Sequence, residues 1–335
     1  MINIAIIGLG YWGPNLLRNF ISNKHCNVLS ICEKNTSIIN KFTYEHKDII
    51  FTTSLEEVLN DKNIDAVVIA TPISTHYKIA FASLKKGKHV FIEKPLADSI
   101  KKCESLIFLA KQNSLCLFVD HTFLYTEAVN KMKTISSKKD FGDMLYYDST
   151  RINLGLIQND VNVMWDLAVH DLAILNFIMN DKPKIVSAIG HKHFTSKPIT
   201  TAYLTVKYNS NFIAHVNVNW LSPVKIRQTI VAGSKKMIVY NDLEPSDKLS
   251  VYDKGVDVIV NNKSNSDNLI NYKIGDTTMP NLKNKEALAL AVDEFIKSIY
   301  SGLPPLTDGL SGLNVVKILE AANKSLSKNG KPILI

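Results

Sequence analysis

The sequence is poor in the residues that build covalent or metal-held frameworks. Only four cysteines occur in 335 residues, at positions 26, 32, 103 and 116. None forms a C-x-x-C pair or joins a Cys/His cluster. That excludes a zinc ribbon and a disulfide scaffold, predicts no metal site, and suits reduced thiols in a cytoplasmic protein. No apolar run approaches the length of a membrane span, so none is expected. The opening MINIAIIGLGYWG lacks the basic start and small-residue cleavage site of a secretory signal. No internal repeat and no low-complexity tract is present. Acidic charge is also in deficit, with 31 Asp and Glu against 39 Lys and Arg, a net +8. Such an excess can serve nucleic acid, a polyanionic small substrate, or nothing specific. The lysines are dispersed, with only pairs such as Lys85-Lys86 and Lys235-Lys236 and no stripe with interleaved aromatics, which argues against nucleic acid. What is plentiful is apolar residue. At 46% hydrophobic, the chain can fill two cores.

Residues 1–121 alternate short Val- and Ile-rich runs (2–8, 27–33, 66–71, 89–94 and 115–120) with helical patterns. One of these, SLEEVLN, offers Ser54 and Glu57 as a capping box. Nearly continuous apolar strands separated by helices predict a parallel sheet buried on both faces, a doubly wound, Rossmann-type α/β domain over 1–121. Beyond that point the pattern changes. Helices are predicted at 126–137 and 166–179, then strand-like runs with short turns, read as an antiparallel meander, then helices near 285–301 and 311–327. The expectation for 122–335 is an α+β domain with an open, mostly antiparallel sheet.

IAIIGLGYWGPNLL places Gly8, Gly10 and Gly13 as G-x-G-x-x-G between a strand and a helix. Gly8 permits the tight turn, Gly10 lets backbone approach a pyrophosphate, and Gly13 allows close packing of helix on strand. Tyr11 and Trp12 inside the same turn are further candidate cofactor contacts. Glu33 ends the second strand, 20 residues after Gly13. An acid there hydrogen-bonds an adenosine ribose and repels a 2′-phosphate, favouring NAD over NADP. Glu93 and Lys94 lie at the carboxyl edge of the predicted sheet, where ligands bind. From spacing alone they fit equally a ligand site or a strand-end ion pair. In VNVMWDLAVHD, Asp166 and His170 are four apart on one helix face, with Asp171 turned about 100° away. That pair reads either as a proton-handling device or as an ordinary buried hydrogen bond.

The glycine pattern, TPISTHYKIA (71–80), EKP (93–95) and, downstream, WDLAVHD (165–171), NWLSPVKIRQTIVAGSKKM (219–237) and PPLTDGLSGLNVVKILEAANKSL (304–326) together resemble the glucose–fructose oxidoreductase / inositol dehydrogenase / rhizopine-catabolism family, Gfo/Idh/MocA. The resemblance covers essentially the whole chain. It implies that Thr71, Pro72 and His76 lie by the cofactor and that Lys94 approaches both nicotinamide and substrate hydroxyl. It also implies that Asp166 and His170 complete the site, with His170 as general base. The family often has Gly before x-His where this chain has Ala168, a departure that keeps the Asp/His spacing. The GYWG turn and the D-x-N-V-x-W-D-L-x-x-H-D form are similar to a branch that acts on nucleotide-linked sugars, such as a UDP-N-acetylglucosamine 3-dehydrogenase.

On the substrate side, Arg151 and Asn153 are expected to face the ligand, with Tyr125 and Thr126 as weaker candidates. Lys225 and Arg227, two apart on a strand, are expected on one face, as a diphosphate clamp or a solvated surface. A free polyol or cyclitol is the alternative substrate, and a non-catalytic cofactor-binding scaffold or redox sensor the alternative of another class. The bare face of the second sheet, read as carrying Phe212, Val216 and Val218, predicts a homodimer or homotetramer.

Overall fold

A computed structural model describes residues 1–259, 269–283 and 285–335. The chain forms two compact units, Met1–Tyr125 with Lys285–Lys317, and Thr126–Asn284 with Ile318–Ile335.

In the first unit, β1 (Ile2–Ile7), α1 (Gly13–Ser22), β2 (Cys26–Cys32), α2 (Thr36–Glu45), β3 (Ile50–Thr52), α3 (Leu55–Asn60), β4 (Ala66–Ile69), α4 (Ile73–Lys85), β5 (His89–Glu93), α5 (Ile100–Gln112) and β6 (Leu117–Asp120) follow in order. The six strands are parallel and ordered β3-β2-β1-β4-β5-β6, with the order reversing at β1/β4. β4 is buried along its whole length, as helices on both faces require. The five predicted runs are five of these strands; β3, at three residues, is too short to show a pattern. Ser54 caps α3 by accepting from the Glu57 N–H. The capping box is only half made, because the Glu57 carboxylate takes the Thr52 hydroxyl instead.

The second unit opens with α6 (Glu127–Ser136), β7 (Met144–Leu154), a π-helical turn over Met164–Ala168 and α7 (Val169–Ile178). There follow β8 (Pro183–His191), β9 (Thr201–Tyr208), β10 (Ile213–Asn219), β11 (Leu221–Gly233), β12 (Met237–Asn241), β13 (Leu249–Ile259) and β14 (Leu269–Thr278). α8 (Ala287–Ser301) and α9 (Gly309–Leu326) come next, and β15 (Ile333–Leu334) ends the chain. α8 belongs to the first unit. Its Phe295 makes edge contacts with Phe20, Phe91 and Phe118, ring centroids 5.5–6.3 Å apart, in the core under the parallel sheet. No helix among the described residues is long and apolar enough to cross a membrane.

The nine-stranded sheet runs β14-β13-β12-β11-β7-β10-β9-β8-β15. It is antiparallel except at its middle, where β7 inserts between β10 and β11 and pairs with β10 in parallel. The simple meander is therefore interrupted. Alternation along β10 buries Ala214, Val216 and Val218 completely, with Phe212 beside them. This corrects the expected bare face: those three residues fill the unit's own core. The exposed face instead presents Tyr203 and Ile213, with His215 stacked on Tyr203.

Arg151 on β7 is likewise buried. Its guanidinium forks onto Asp171 of α7, Nε to Oδ2 at 2.7 Å and Nη2 to Oδ1 at 3.0 Å. The Tyr147 hydroxyl donates to the Asp171 carbonyl at 3.0 Å. Arg151→Ala is expected to lower stability by about 3–5 kcal/mol, since it strands a buried carboxylate, whereas an Arg151→Met/Asp171→Leu double variant recovers most of the loss. Urea unfolding midpoints of the three proteins check this.

Candidate active site

The first unit carries the dinucleotide cradle. Gly8 sits at φ +95°, and a Cβ there would stand 2.7 Å from the Ala70 carbonyl, so only glycine makes this turn without strain. A Cβ on Gly13 would come within 2.4 Å of the Gly8 carbonyl, which shows how tightly α1 packs on the turn. Nothing lies within 4 Å of the corresponding point on Gly10, the open approach a pyrophosphate needs. No side chain caps the start of α1 and no acid occupies its first turn, leaving its positive end available to an anion. Tyr11, 91% exposed, and Trp12 present their rings beside this opening.

Glu33 fixes the turn from the β2 end. Its Oε2 accepts from the Leu9 N–H at 2.7 Å and its Oε1 from the Asn35 N–H at 2.8 Å. A carboxylate has about four acceptor sites, so capacity remains for ribose hydroxyls. These residues fit a dinucleotide.

His76 departs from the expected cofactor contact. It is buried, and its ring nitrogens lie 2.9 Å from the Pro95 carbonyl and 2.8 Å from the Thr71 carbonyl. It acts as a bracket between the Thr71-Pro72 loop and the EKP loop. Thr71 is further held by the Thr75 hydroxyl at 2.7 Å.

At the carboxyl edge of the sheet, Glu93 of β5 lies in register with Asp120 of β6. Glu93 Oε2 accepts from the Lys94 N–H at 3.2 Å, and Asp120 Oδ1 from the Thr122 hydroxyl at 2.7 Å. Burial, then the neighbouring Asp120, pushes the Glu93 carboxyl well above the usual range, while Lys94 opposes the shift. His121, next in the chain, is buried with no hydrogen-bond partner on either ring nitrogen among the described residues. Burial first, then Lys94, pushes it down to about 4. Neither Asp120 nor His121 stood out in the sequence, because both follow an apolar strand with no motif around them.

The second unit holds Asp166 in the π-helical turn and His170 at the start of α7, both half-buried. Asp166 Oδ2 accepts from the Trp220 indole N–H at 3.0 Å, so a fully buried ring fixes this carboxylate. Trp220 is the residue that reading the sequence left without a role. Asn153 lies against the same corner: a Cβ on Gly155 would meet Asn153 Nδ2 at 2.5 Å and the Trp220 ring at 3.3 Å. The π turn widens the helix where Asp166 sits, a feature frequent at functional sites.

Three substrate-side expectations change. Arg151 does not face a ligand, because both ends of its fork are spent on Asp171. Lys225 and Arg227 do not form a clamp. The register of β11 against β7 slips between Leu221 and Ile226, which leaves Lys225 exposed in an irregular stretch. Arg227, opposite Arg151, pairs with Asp242 at 3.1 Å. Lys225 instead lines a shallow groove of about 410 Å³ with Ile226, Gln228, Asn241, Leu243 and Glu244. Tyr125 is buried and bonded to Thr307 at 3.0 Å, and the Thr126 hydroxyl caps α6.

The fold and cradle define a dinucleotide-binding α/β protein. Residues 2–121 match the model of an oxidoreductase family with an NAD-binding Rossmann fold, and residues 139–239 match the GFO/IDH/MocA C-terminal domain. The chain belongs to this family of NAD-binding oxidoreductases. It is 24% identical over 201 residues to an uncharacterized oxidoreductase of Streptococcus pneumoniae, covering 57% of this chain and 53% of that one, so it spans about half of that relative. It is 24% identical to a UDP-N-acetylglucosamine 3-dehydrogenase of Acidithiobacillus ferrooxidans, over 76% of each chain. It is also 24% identical to a scyllo-inositol 2-dehydrogenase (NAD(+)) of Bacillus subtilis, over 83% of this chain and 79% of that one. Among solved structures, the Acidithiobacillus ferrooxidans 3-dehydrogenase superposes with a TM-score of 0.80 at 20% identity over 98% of both chains. GenD2 from gentamicin A biosynthesis, in complex with NAD, gives 0.84 at 17% identity over 100% of this chain and 96% of that one.

Two outcomes test the first unit. Gly13→Ala is expected to abolish NAD binding measured by calorimetry, because only backbone movement relieves the contact. For His121 the folded value lies below the ordinary 6.5, so the neutral ring supports the fold above that pH. The support is lost as pH falls through the window from 6.5 to about 4. Acid unfolding of His121→Phe is therefore expected to be shallower across that window than in the wild type.

Proposed function

We propose that the protein is an NAD-dependent dehydrogenase that transfers a hydride between a sugar hydroxyl carbon and the nicotinamide, with C3 of a nucleotide-linked sugar such as a UDP-N-acetylhexosamine as the reacting carbon. The observation that carries the reading is the pairing of Asp166 with the buried Trp220 indole, four residues before His170. A carboxylate fixed by an aromatic N–H in a π-helical turn is a poor packing element and a good orienting group for an imidazole. NAD, when bound on the glycine turn, supplies the hydride acceptor. His170 takes the hydroxyl proton at a ring nitrogen; an imidazole starts near the pKa that such a base needs. Asp166 orients that ring and favours its charged form. The Lys94 ammonium favours alkoxide character at the reacting oxygen. Glu33 supports NAD over NADP, because its fixed carboxylate repels a 2′-phosphate.

A free polyol or cyclitol is the second reading. The Arg227–Asp242 pair favours it, since it removes half of the expected diphosphate clamp and leaves Lys225 alone. UDP-N-acetylglucosamine, other UDP- and dTDP-sugars, and free inositols, each with NAD and followed by NADH absorbance, separate the two. Turnover on free polyols alone overturns the first reading. His170→Ala is expected to lower turnover by roughly 10²–10⁴-fold while leaving NAD affinity near that of the wild type. A collapse of NAD binding instead makes His170 structural. Absence of turnover with every substrate points to a cofactor-binding scaffold.

The apolar and aromatic groups on the exposed sheet face, Tyr203 and Ile213 among them, support a homodimer or homotetramer through this sheet. A monomer by light scattering at micromolar concentration overturns that.

A further inference from the structure

Two carboxyl groups stand side by side where the first unit's sheet ends. Glu93 and Asp120 are register partners on neighbouring parallel strands, so their side chains leave the sheet on the same side. Each has one oxygen supplied with a donor: Glu93 Oε2 by the Lys94 N–H and Asp120 Oδ1 by the Thr122 hydroxyl. The other two oxygens, Glu93 Oε1 and Asp120 Oδ2, are sealed from solvent with no donor among the described residues. Two neighbouring carboxylates with undonated oxygens in a dry site repel each other. A single proton between them satisfies both.

We propose that Glu93 and Asp120 hold one proton between them, forming a carboxyl–carboxylate couple of single negative charge that positions Lys94. Two buried carboxylates in contact cannot both ionise, and their titration belongs to the pair. Burial raises both groups. Asp120 raises Glu93 further, whereas Thr122, Glu93 and Trp12 pull Asp120 back, so the proton rests on Glu93 and Asp120 accepts. The charged group against the couple is Lys94, whose ammonium lowers both carboxyls. His121 follows Asp120 and is neutral because burial and Lys94 push it down to about 4. The Tyr125 phenol, which feels Asp120, stays protonated because burial raises it. With His121 uncharged, the couple places one negative charge in the field of Lys94 at this edge of the sheet. It also holds the Lys94 backbone through Glu93 Oε2. Glu93 and Asp120 are thus positioning residues that act through the lysine. This rests on the dehydrogenase reading only for its kinetic consequence.

Infrared spectroscopy of the full chain, loaded with NAD and carrying ¹³C-labelled Asp and Glu side chains, tests the shared proton without any substrate. A protonated-carboxyl C=O stretch that shifts in D₂O is expected at pH 7 and should persist into the alkaline range. Asp120→Asn and Glu93→Gln are each expected to remove it, because an amide N–H then replaces the proton and the remaining carboxyl ionises. No such band in the wild type, or a band that survives both substitutions, overturns the proposal. The wild-type titration needs no variant to fold. With UDP-N-acetylglucosamine and NAD as the probe pair, the double Glu93→Gln/Asp120→Asn variant, which removes the couple's charge from beside Lys94, is expected to turn over at least about tenfold more slowly than Asp120→Asn alone. Equal rates with the band present mean that the proton is shared but does not position Lys94, which overturns that half. If the wild type is inactive on this substrate while the band behaves as expected, the substrate reading fails and the couple stands.

Discussion

The second unit is organised around one buried ion pair. Arg151 projects from β7, the strand that divides its sheet, and forks onto Asp171 at the first turn of α7. Taking two charges out of water costs several kcal/mol per ion, and a bidentate fork recovers that only in one geometry. The pair therefore works less as a source of stability than as a register pin. It fixes which face of α7 meets the sheet. With Asp171 turned inward, the positions before it are turned elsewhere, and Trp220 then takes the Asp166 carboxylate from the end of β10. The motif reads Asp-x-x-x-His-Asp, and its last residue sets the aim of the first two.

The parts of the structure that depend on local pattern were legible in the sequence. Val- and Ile-rich runs gave the parallel strands, and Gly8, Gly10 and Gly13 gave the turn, because those signals lie within a few adjacent residues. Ser54 marked a helix start for the same reason, although its Glu57 partner chose Thr52, a competitor that the capping pattern does not register. The strand order was not legible, nor was the insertion of β7, since both are decided by pairings far apart in sequence. The same limit applies to faces. Alternation in β10 separates Val216 and Val218 from Ile213 and His215, but it does not say which set is covered.

Charged residues misled for a related reason. Arg151 and Arg227 look like ligand contacts because each is a cation on a strand, and His76 because the family resemblance of TPISTH implies it. Each has a partner remote in the chain or a backbone carbonyl that consumes its donors. Asp120 and His121 went unnoticed from the opposite cause. An acid and an imidazole at the end of LFVDH look solvated, and only the register of β6 against β5 brings the acid beside Glu93. A site residue is recognisable from sequence when its partners are its neighbours.

The packing of Phe295 beneath the parallel sheet has a bearing on biogenesis. Phe20, Phe91 and Phe118 leave the ribosome with the first 120 or so residues, yet the helix that covers them is made only after eight of the nine strands of the second sheet. The nascent nucleotide-binding half thus carries an uncovered aromatic patch through most of translation. That is a surface for chaperones to shield, and a reason why a fragment cut after β6 would aggregate.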